Sequence, residues 1–309
     1  MAANPSTTAE AEDTEKYLHP YLVFGVDFND NCGTERIGTC PFCGKPKHFY
    51  VNLESGKFSC KNGSCGQEGG ISSFLQRIYT LCKDSTTQLQ LQNLGTKRNL
   101  PVRILNHFGV VVNIANEEEY LVPVITDYIH DLKRYLPFAV AKKRRALRPI
   151  PTRSLQIFNL PDLRNLEKSD LPIFICEGEW DAMSLYWLFE KTKTNAIVIA
   201  IPGAQTFKKD WANYFVDRVV YICYDNDTAG DKGQSKLAKF LTNVVRRAFF
   251  VHWPTELKAG YDISDFIRDQ VKDKNGFEVC VTKLKALMFD KPRTESVVVD
   301  ESIDPAKIK

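Results

Sequence analysis

The chain lacks any apolar run near the ~20 residues needed to span a bilayer. Its opening, MAANPSTTAEAEDTE, has no apolar core of the kind a secretory signal requires. That stretch (residues 1–16) reads instead as a disordered acidic tail. No internal repeat is visible. There is no G-x-x-x-x-G-K-[ST] phosphate loop either; Gly230-Asp231-Lys232-Gly233 lacks its spacing. A strong excess of one charge is also missing. With 41 Lys+Arg against 38 Asp+Glu the net charge is +3, so local clustering matters more than the total. The nine cysteines are odd in number and four sit in a metal-like pattern, which points away from a disulfide framework. The expected location is a reducing, cytoplasmic compartment with no membrane partner.

What is present fits an ordinary globular protein. The 309 residues allow two or three domains, and 43% hydrophobic with 26% charged residues is unexceptional. Two stretches organise the rest. IFICEGEWDA carries Glu177 and Asp181; VVYICYDNDTAG carries Asp225 and Asp227. Each begins as an apolar, β-branched run that predicts a buried parallel strand, then breaks into carboxylates and glycine. In an open α/β sheet, ligands bind outside the carboxyl ends of the strands. Carboxylates gathered there repel one another unless a cation joins them. Oxygen ligands of this kind suit Mg²⁺ or Mn²⁺, one ion or two, and phosphoryl transfer is the chemistry implied.

In chain order, residues 17–80 read as a small turn-rich module and 81–98 as a polar linker, part of it compatible with a helix through Leu89, Leu91 and Leu94, a poor periodic match. Residues 99–168 hold short β-like runs that suggest antiparallel strands, with Pro123 and Pro137 as breakers. From Leu171 strands and helices alternate: PIFICE, NAIVIAI, RVVYICY and AFFVHW are the strands, and WDAMSLYWLFEKT and AGDKGQSKLAKFLTNV the helices. This order predicts βαβ units and a mostly parallel sheet over 169–255. A helical segment at 256–290 follows, closed by GFEVCVTKLKALMF, and 291–309 reads as a loose tail.

Cys40-Pro41-Phe42-Cys43 is followed after sixteen residues by Cys60 and then Cys65. Two pairs at that separation fit two facing turns on a small β-ribbon, closing a four-thiolate tetrahedral shell around one structural zinc. A module this small has little core without a metal. Cys32 and His48 read as non-ligands. Phe49, Tyr50 and Phe58 are of a type that stacks on unpaired bases, but at least two are expected in the ribbon's own core. Cys82, Cys176, Cys223 and Cys280 read as small buried hydrophobes.

The stretch from Cys40 to Leu75 resembles the zinc-ribbon of bacterial-type and phage DNA primases, with its Cys-Pro-Phe opening, second cysteine pair and Gly69-Gly70-Ile71-Ser72-Ser73-Phe74-Leu75 ending. The later region resembles the Toprim domain of those primases, topoisomerases and some nucleases. Its motifs stand as Glu177-Gly178-Glu179-Trp180-Asp181-Ala182, the IPGAQ turn at 201–205, and Asp225-Asn226-Asp227-Thr228-Ala229-Gly230. YDISDF resembles the segment that follows the Toprim core, but Tyr261 stands where the family has lysine, and Lys258 is the nearest. The resemblance covers roughly 38–270, in the primase order of ribbon, basic segment and Toprim.

It implies an α/β fold: a β-rich zinc-ribbon, a mixed α+β basic subdomain, and a Toprim-type parallel sheet flanked by helices. The implied activity is template-directed synthesis of short RNA primers on single-stranded DNA from ribonucleoside triphosphates, by metal-dependent nucleotidyl transfer. A phage- or plasmid-encoded origin in a bacterial host and a replicative helicase partner are further expectations, the chain being too short for its own helicase motor.

Asp225 and Asp227 alternate along an extended segment and are assigned to the divalent metal. Glu177 is either a third metal anchor or an acid/base. Asp181 is the next metal candidate, or a favourable charge at a helix N-terminus. Asp262 and Asp265 read equally as a helix cap with a first-turn acid and as metal ligands. Glu179 is expected to face solvent. Lys142, Lys143, Arg144, Arg145 and Arg148 form the basic run assigned to template and nucleotide phosphates, with Arg134 and Arg153 extending it; Lys232 reads equally as a further phosphate contact and as a surface helix lysine. His107, His130 and His252 read as structural. The rivals are a Toprim-type metal-dependent nuclease and a non-catalytic DNA-binding recombination mediator. A topoisomerase would need a tyrosine-bearing domain for which there is no room.

Overall fold

The computed structural model describes residues 18–140, 147–150, 153–272 and 276–293. It divides into two compact units, one of residues 1–97 with 105–154 and one of 98–104 with 155–309.

In the first unit, α1 is described over residues 18–23. Strands β1 (Phe28–Cys32), β2 (Glu35–Gly38), β3 (Phe49–Asn52), β4 (Phe58–Cys60) and β5 (Glu68–Gly69) form one antiparallel sheet in sequence order. Helices α2 (Ile71–Ser85), α3 (Gln88–Arg98) and α4 (Val102–His107) follow, then β6 (Val111–Asn113), β7 (Asn116–Ile125) and β8 (Ile129–Tyr135) as a three-stranded antiparallel sheet. Helix α2 buries Phe74, Leu75, Ile78 and Cys82, a one-sided stripe at helical spacing. That stripe joins the two sheets: Phe49, Val51 and Phe58 of the ribbon share one core with Val111, Leu121 and Leu132. The ring of Phe74 lies 4.5 Å from Tyr21, 5.8 Å from Phe42 and 5.8 Å from Phe58. Full burial of such a phenylalanine contributes roughly 1.5–3 kcal/mol. Phe49 and Phe58 are thus core residues, while Tyr50 is half-buried with Lys61 5.8 Å from its ring.

Within the polar stretch at 81–98, α3 is the helical part, anchored by buried Leu91, Leu94 and Gly95. One local expectation changes. Pro123 does not break its strand but pairs with Leu132 inside β7. It lies beyond the last β6 pairing, Val111 with Leu121, so β7 needs no ladder donor on that side.

The second unit carries α5 (Leu160–Arg164), β9 (Ile173–Cys176), α6 (Glu179–Thr192), β10 (Ile197–Ala200), β11 (Val219–Cys223), α7 (Thr228–Leu241), β12 (Arg247–Val251), α8 (Ile263–Gln270), α9 (Gly276–Ala286) and β13 (Met288–Phe289). The sheet order is β10-β9-β11-β12-β13, parallel except for β13. The strands are apolar because both faces are covered: Ile173, Ile175, Ile197, Ile199, Val220 and Ile222 are buried in one core with Phe215 and Leu237. The connection from β9 runs through α6 to β10 on one side, and the chain then crosses to β11 on the other. The strand ends of β9 and β11 therefore open at the point where strand order reverses, the usual place for a ligand crevice.

Candidate active site

Glu177 follows β9 directly and Asp225 follows β11 by one residue, with Cys176 and Cys223 in register behind them. The IPGAQ turn borders Glu177, Gly203 donating its N–H to the Glu177 carbonyl at 3.3 Å. Asp227 caps α7, its Oδ1 accepting from Gly230 N–H at 2.7 Å and leaving a second oxygen for other partners. The Ala-Gly of this motif has a steric origin. A Cβ on Gly230 would lie 2.2 Å from the Asp225 carbonyl, and one on Gly233 would lie 2.6 Å from Ala204 and 2.9 Å from the Tyr224 ring.

Asp181 lies in the first turn of α6 and is 8% exposed. One of its carboxylate oxygens accepts from Ser264 N–H at 3.2 Å and Ser264 Oγ at 2.7 Å. Asp262 caps α8 through Asp265 N–H at 2.6 Å. Asn226 brings that cap to the acidic loop: its N–H donates to Tyr261 O at 2.8 Å, and its carbonyl accepts from Gly260 N–H at 2.8 Å.

The carboxylates act on one another. Burial pushes Asp225 up to about 9, reinforced by Asp181, Glu177, Asp262 and Asp227. Burial and then Asp262 raise Asp181 to about 7, against the Ser264 hydrogen bonds. Glu177 is raised by burial and by Asp227, and Asp262 by burial. Asp265 behaves differently. Burial works against its charge, but Lys258 at 2.8 Å and Arg268 at 2.7 Å outweigh that and hold it below the usual range. It is an ion-pair residue of α8, whereas Asp262 faces the acidic group.

Glu177 Oε2 is buried with no hydrogen-bond partner, which suits a cation ligand. Among the described residues the four cysteines alone bring three or more ligand atoms within 4.8 Å of one another. The carboxylates stand wider apart, as mutually repelling charges do and as Mg²⁺, which keeps several waters, permits.

The cysteines fit zinc closely. Cys40 and Cys65 sulfurs are 3.9 Å apart, and those of Cys43 and Cys60 3.8 Å. A tetrahedron with Zn–S bonds near 2.3 Å has edges of about 3.8 Å. Asn62 donates to Cys43 Sγ at 3.5 Å, the largest cause holding that thiol down near 6. Cys32 and His48 lie outside the cluster.

Other expectations are corrected. Glu179 does not face solvent; it is 4% exposed at the start of α6, where the helix N-terminus favours a carboxylate. Arg134 and Arg153 do not extend a surface patch. Arg134 and Arg148 flank buried Glu119 at 3.8 and 3.5 Å, and Asn113 donates to the same carboxylate at 2.9 Å. Arg153 donates to His130 O at 2.6 Å and Ser72 Oγ at 3.2 Å. Arg148 remains half exposed, and Lys232 is exposed on α7. Lys142, Lys143, Arg144 and Arg145 lie outside the described residues. His130 and His252 bond backbone carbonyls, at 2.7 Å each, and His107 packs on Phe108.

Two residues had no signal in the sequence. Arg98, at the end of the supposed linker, stacks 4.5 Å over Trp180 and opposes the rise that burial imposes on Asp181 and Asp262. Arg293, in the supposed tail, donates to the Asp225 carbonyl at 2.6 Å.

The fold and sites define a Toprim-type domain joined to a four-cysteine ribbon. Residues 174–267 match the family model described as Toprim-like. No curated protein matches the chain at a significant level. The fold is that of bacterial-type primases. The zinc-binding and RNA polymerase domains of the Aquifex aeolicus primase align with TM-score 0.50 and 16% identity, over 89% of this chain and 85% of that one. The RNA polymerase domain of the Mycobacterium tuberculosis primase DnaG aligns with TM-score 0.53 and 14% identity, over 71% and 84%. A DnaG catalytic core aligns with TM-score 0.50 and 15% identity, over 69% and 78%. No described helix is long and apolar enough to cross a membrane.

Proposed function

We propose that the chain is a DNA primase that joins ribonucleotides on a single-stranded DNA template. The observation that carries this reading is the gathering of Glu177, Asp181, Asp227 and Asp262 around the buried Asp225 carboxyl at a strand-end crevice, on a chain with the primase fold. Carboxylates brought this close to a buried Asp225 disfavour its charge, and a divalent cation would offset that repulsion.

In this reading Glu177, Asp225 and Asp227 hold Mg²⁺ or Mn²⁺, with Asp181 as the next ligand. When bound, the cation neutralises charge that develops as a 3′-hydroxyl attacks the α-phosphorus and pyrophosphate leaves. The protein's own part is positioning. Ser264 keeps Asp181 oriented, the Asp227 cap fixes the loop as it enters α7, and Asn226 ties Asp262 beside it. The four-cysteine ribbon would hold one structural zinc and present the template. Lys142, Lys143, Arg144, Arg145, Arg148 and Lys232 are assigned to template and triphosphate. A replicative helicase as partner and a phage- or plasmid-type replicon belong to the same proposal.

The test is primer synthesis by purified protein with single-stranded DNA, labelled ribonucleotides and Mg²⁺ or Mn²⁺. Asp225→Ala and Asp227→Asn should make no primers while remaining folded; the second substitution keeps a capping side chain. Normal primer yield from either folded variant refutes the assignment.

A further inference from the structure

We propose that Arg293 is a positioning residue for the acidic loop: its guanidinium clamps the main chain of Asp225 and the side chains of Asn226 and Asp231, setting the direction in which the Asp225 and Asp227 carboxylates project. The inference rests on the metal-site reading above and assigns a role to a segment outside the Toprim-like match.

The contacts are convergent. Arg293 Nη2 donates to Asp225 O at 2.6 Å and reaches Tyr224 O at 3.5 Å. Nη1 donates to Asn226 Oδ1 at 3.3 Å, and Nε lies 2.8 Å from Asp231 Oδ1. The two terminal nitrogens of one planar group thus serve the end of β11 and the middle of the loop, while Nε makes an ion-pair contact, without hydrogen-bond alignment, to the first turn of α7. A lysine has no such fork: its three donors radiate from one atom. The side chain is only 10% exposed, so the backbone carbonyls and Asn226 Oδ1 replace the hydration of its terminal nitrogens. Gly230 leaves the room required, since a Cβ there would lie 3.3 Å from Nη2 as well as against the Asp225 carbonyl.

The arginine is itself held in place. Its N–H donates to Gln234 Oε1 at 3.2 Å, and the same fully buried amide donates to Val251 O at 3.1 Å. Two residues earlier in the segment, Lys291 O accepts from His252 Nε2 at 2.7 Å. Strand β13 precedes this segment and pairs with β12, so the anchor is built on the sheet. Asn226 uses its remaining donors on Leu257 O and Lys258 O, at 3.2 and 3.3 Å. The loop is therefore gripped on both flanks: by Arg293 on one, and by the segment leading to Asp262 on the other.

A clamp and a mere counter-charge differ in what they predict for a bound cation. A positive charge near the site repels Mn²⁺, so a counter-charge role makes Arg293→Met bind Mn²⁺ more tightly and Arg293→Lys bind like wild type. A clamp makes Arg293→Lys weaker, because the charge stays and the fork is lost. The experiment titrates the zinc-loaded full chain with Mn²⁺ and follows free Mn²⁺ by electron paramagnetic resonance, with Asp225→Asn as reference. Arg293→Lys should weaken Mn²⁺ binding about tenfold, the scale of losing hydrogen bonds to a charged group. Gln234→Met, which changes no charge and loosens the anchor, should weaken it by a smaller factor and decides the matter should Arg293→Lys fail to fold. Wild-type affinity in folded Arg293→Lys overturns the clamp. Equal Mn²⁺ binding by wild type and Asp225→Asn overturns the clamp together with the metal site. Asp225-dependent Mn²⁺ binding without primer synthesis overturns only the primase reading and leaves the clamp standing or falling on the lysine variant.

Discussion

Ser264 donates both its backbone N–H and its hydroxyl to a single carboxylate oxygen of Asp181, a residue 83 positions earlier in the chain. The first turn of α8 is thereby fastened to the first turn of α6, and Asp262 is carried to the acidic group with it. Burial raises Asp181, and Ser264 opposes the rise. Removing the hydroxyl in Ser264→Ala should lift the Asp181 carboxyl further above about 7, so less of it is ionised at neutral pH. The acid limb of metal-dependent activity should then move to higher pH, with a smaller loss at the optimum. Superimposable pH profiles for variant and wild type would contradict this role.

Asp225 links stability to pH in an unusual direction for an aspartate. Its folded carboxyl is raised to about 9 from an ordinary 3.8, so the folded protein holds that proton more tightly than the unfolded chain. The associated stability is present in full below the ordinary aspartate range and is lost as pH rises toward 9. In magnesium-free buffer that retains zinc, Asp225→Asn should therefore melt higher than wild type at pH 8. A gain of about 2–4 °C corresponds to roughly 1 kcal/mol in a unit of this size. Added Mg²⁺ should raise the wild-type melting temperature and leave the variant nearly unchanged. An Asp225→Asn protein that melts lower than wild type at pH 8 contradicts the repulsive site.

The four-cysteine cluster sits against the core that joins the ribbon to the three-stranded sheet, since Cys40 and Cys60 are buried with Phe49, Phe58 and Phe74. Cys60→Ser should lose its zinc and unfold that shared core, not the ribbon alone. Metal content by atomic absorption should fall from one zinc per chain to none, and exchange protection should be lost over β6–β8 as well as β3–β4. Retained protection in β6–β8 would show that the two sheets fold separately.

Glu119 is buried between Arg134 and Arg148, with Asn113 on its other oxygen. Glu119→Ala leaves the buried Asn113 amide and the mostly buried Arg134 without their partner, while Arg148 keeps water, a loss of about 1–3 kcal/mol. Denaturant unfolding should show the loss in the first unit. A change below about 1 kcal/mol contradicts the buried network, since surface pairs alone are worth that little.

The parallel strands and the cysteine site were legible because their signals are local. IFIC, IVIA and VVYIC are apolar on every residue, as strands covered on both faces must be, and cysteine spacing reports a turn geometry directly. What escaped was set by distant contacts. Helix α3 offers only Leu91, Leu94 and Gly95 to the interior and otherwise reads as a polar linker. The ribbon and the three-stranded sheet look like separate modules until the α2 stripe is seen to serve both. Pro123 reads as a breaker unless the end of β6 is known. Arg98 and Arg293 stand in polar stretches without periodicity, and only tertiary structure brings each to a carboxylate. The acidic loop itself was readable; the groups that hold it were not.

The most direct measurement is primer synthesis on mixed-sequence single-stranded DNA with Mg²⁺ or Mn²⁺ and labelled ribonucleotides, run with Asp225→Ala alongside wild type. The account predicts short labelled oligomers from wild type and none from a folded, zinc-loaded variant. Shortened DNA without oligomers from wild type, or equal oligomer yield from Asp225→Ala, would contradict it.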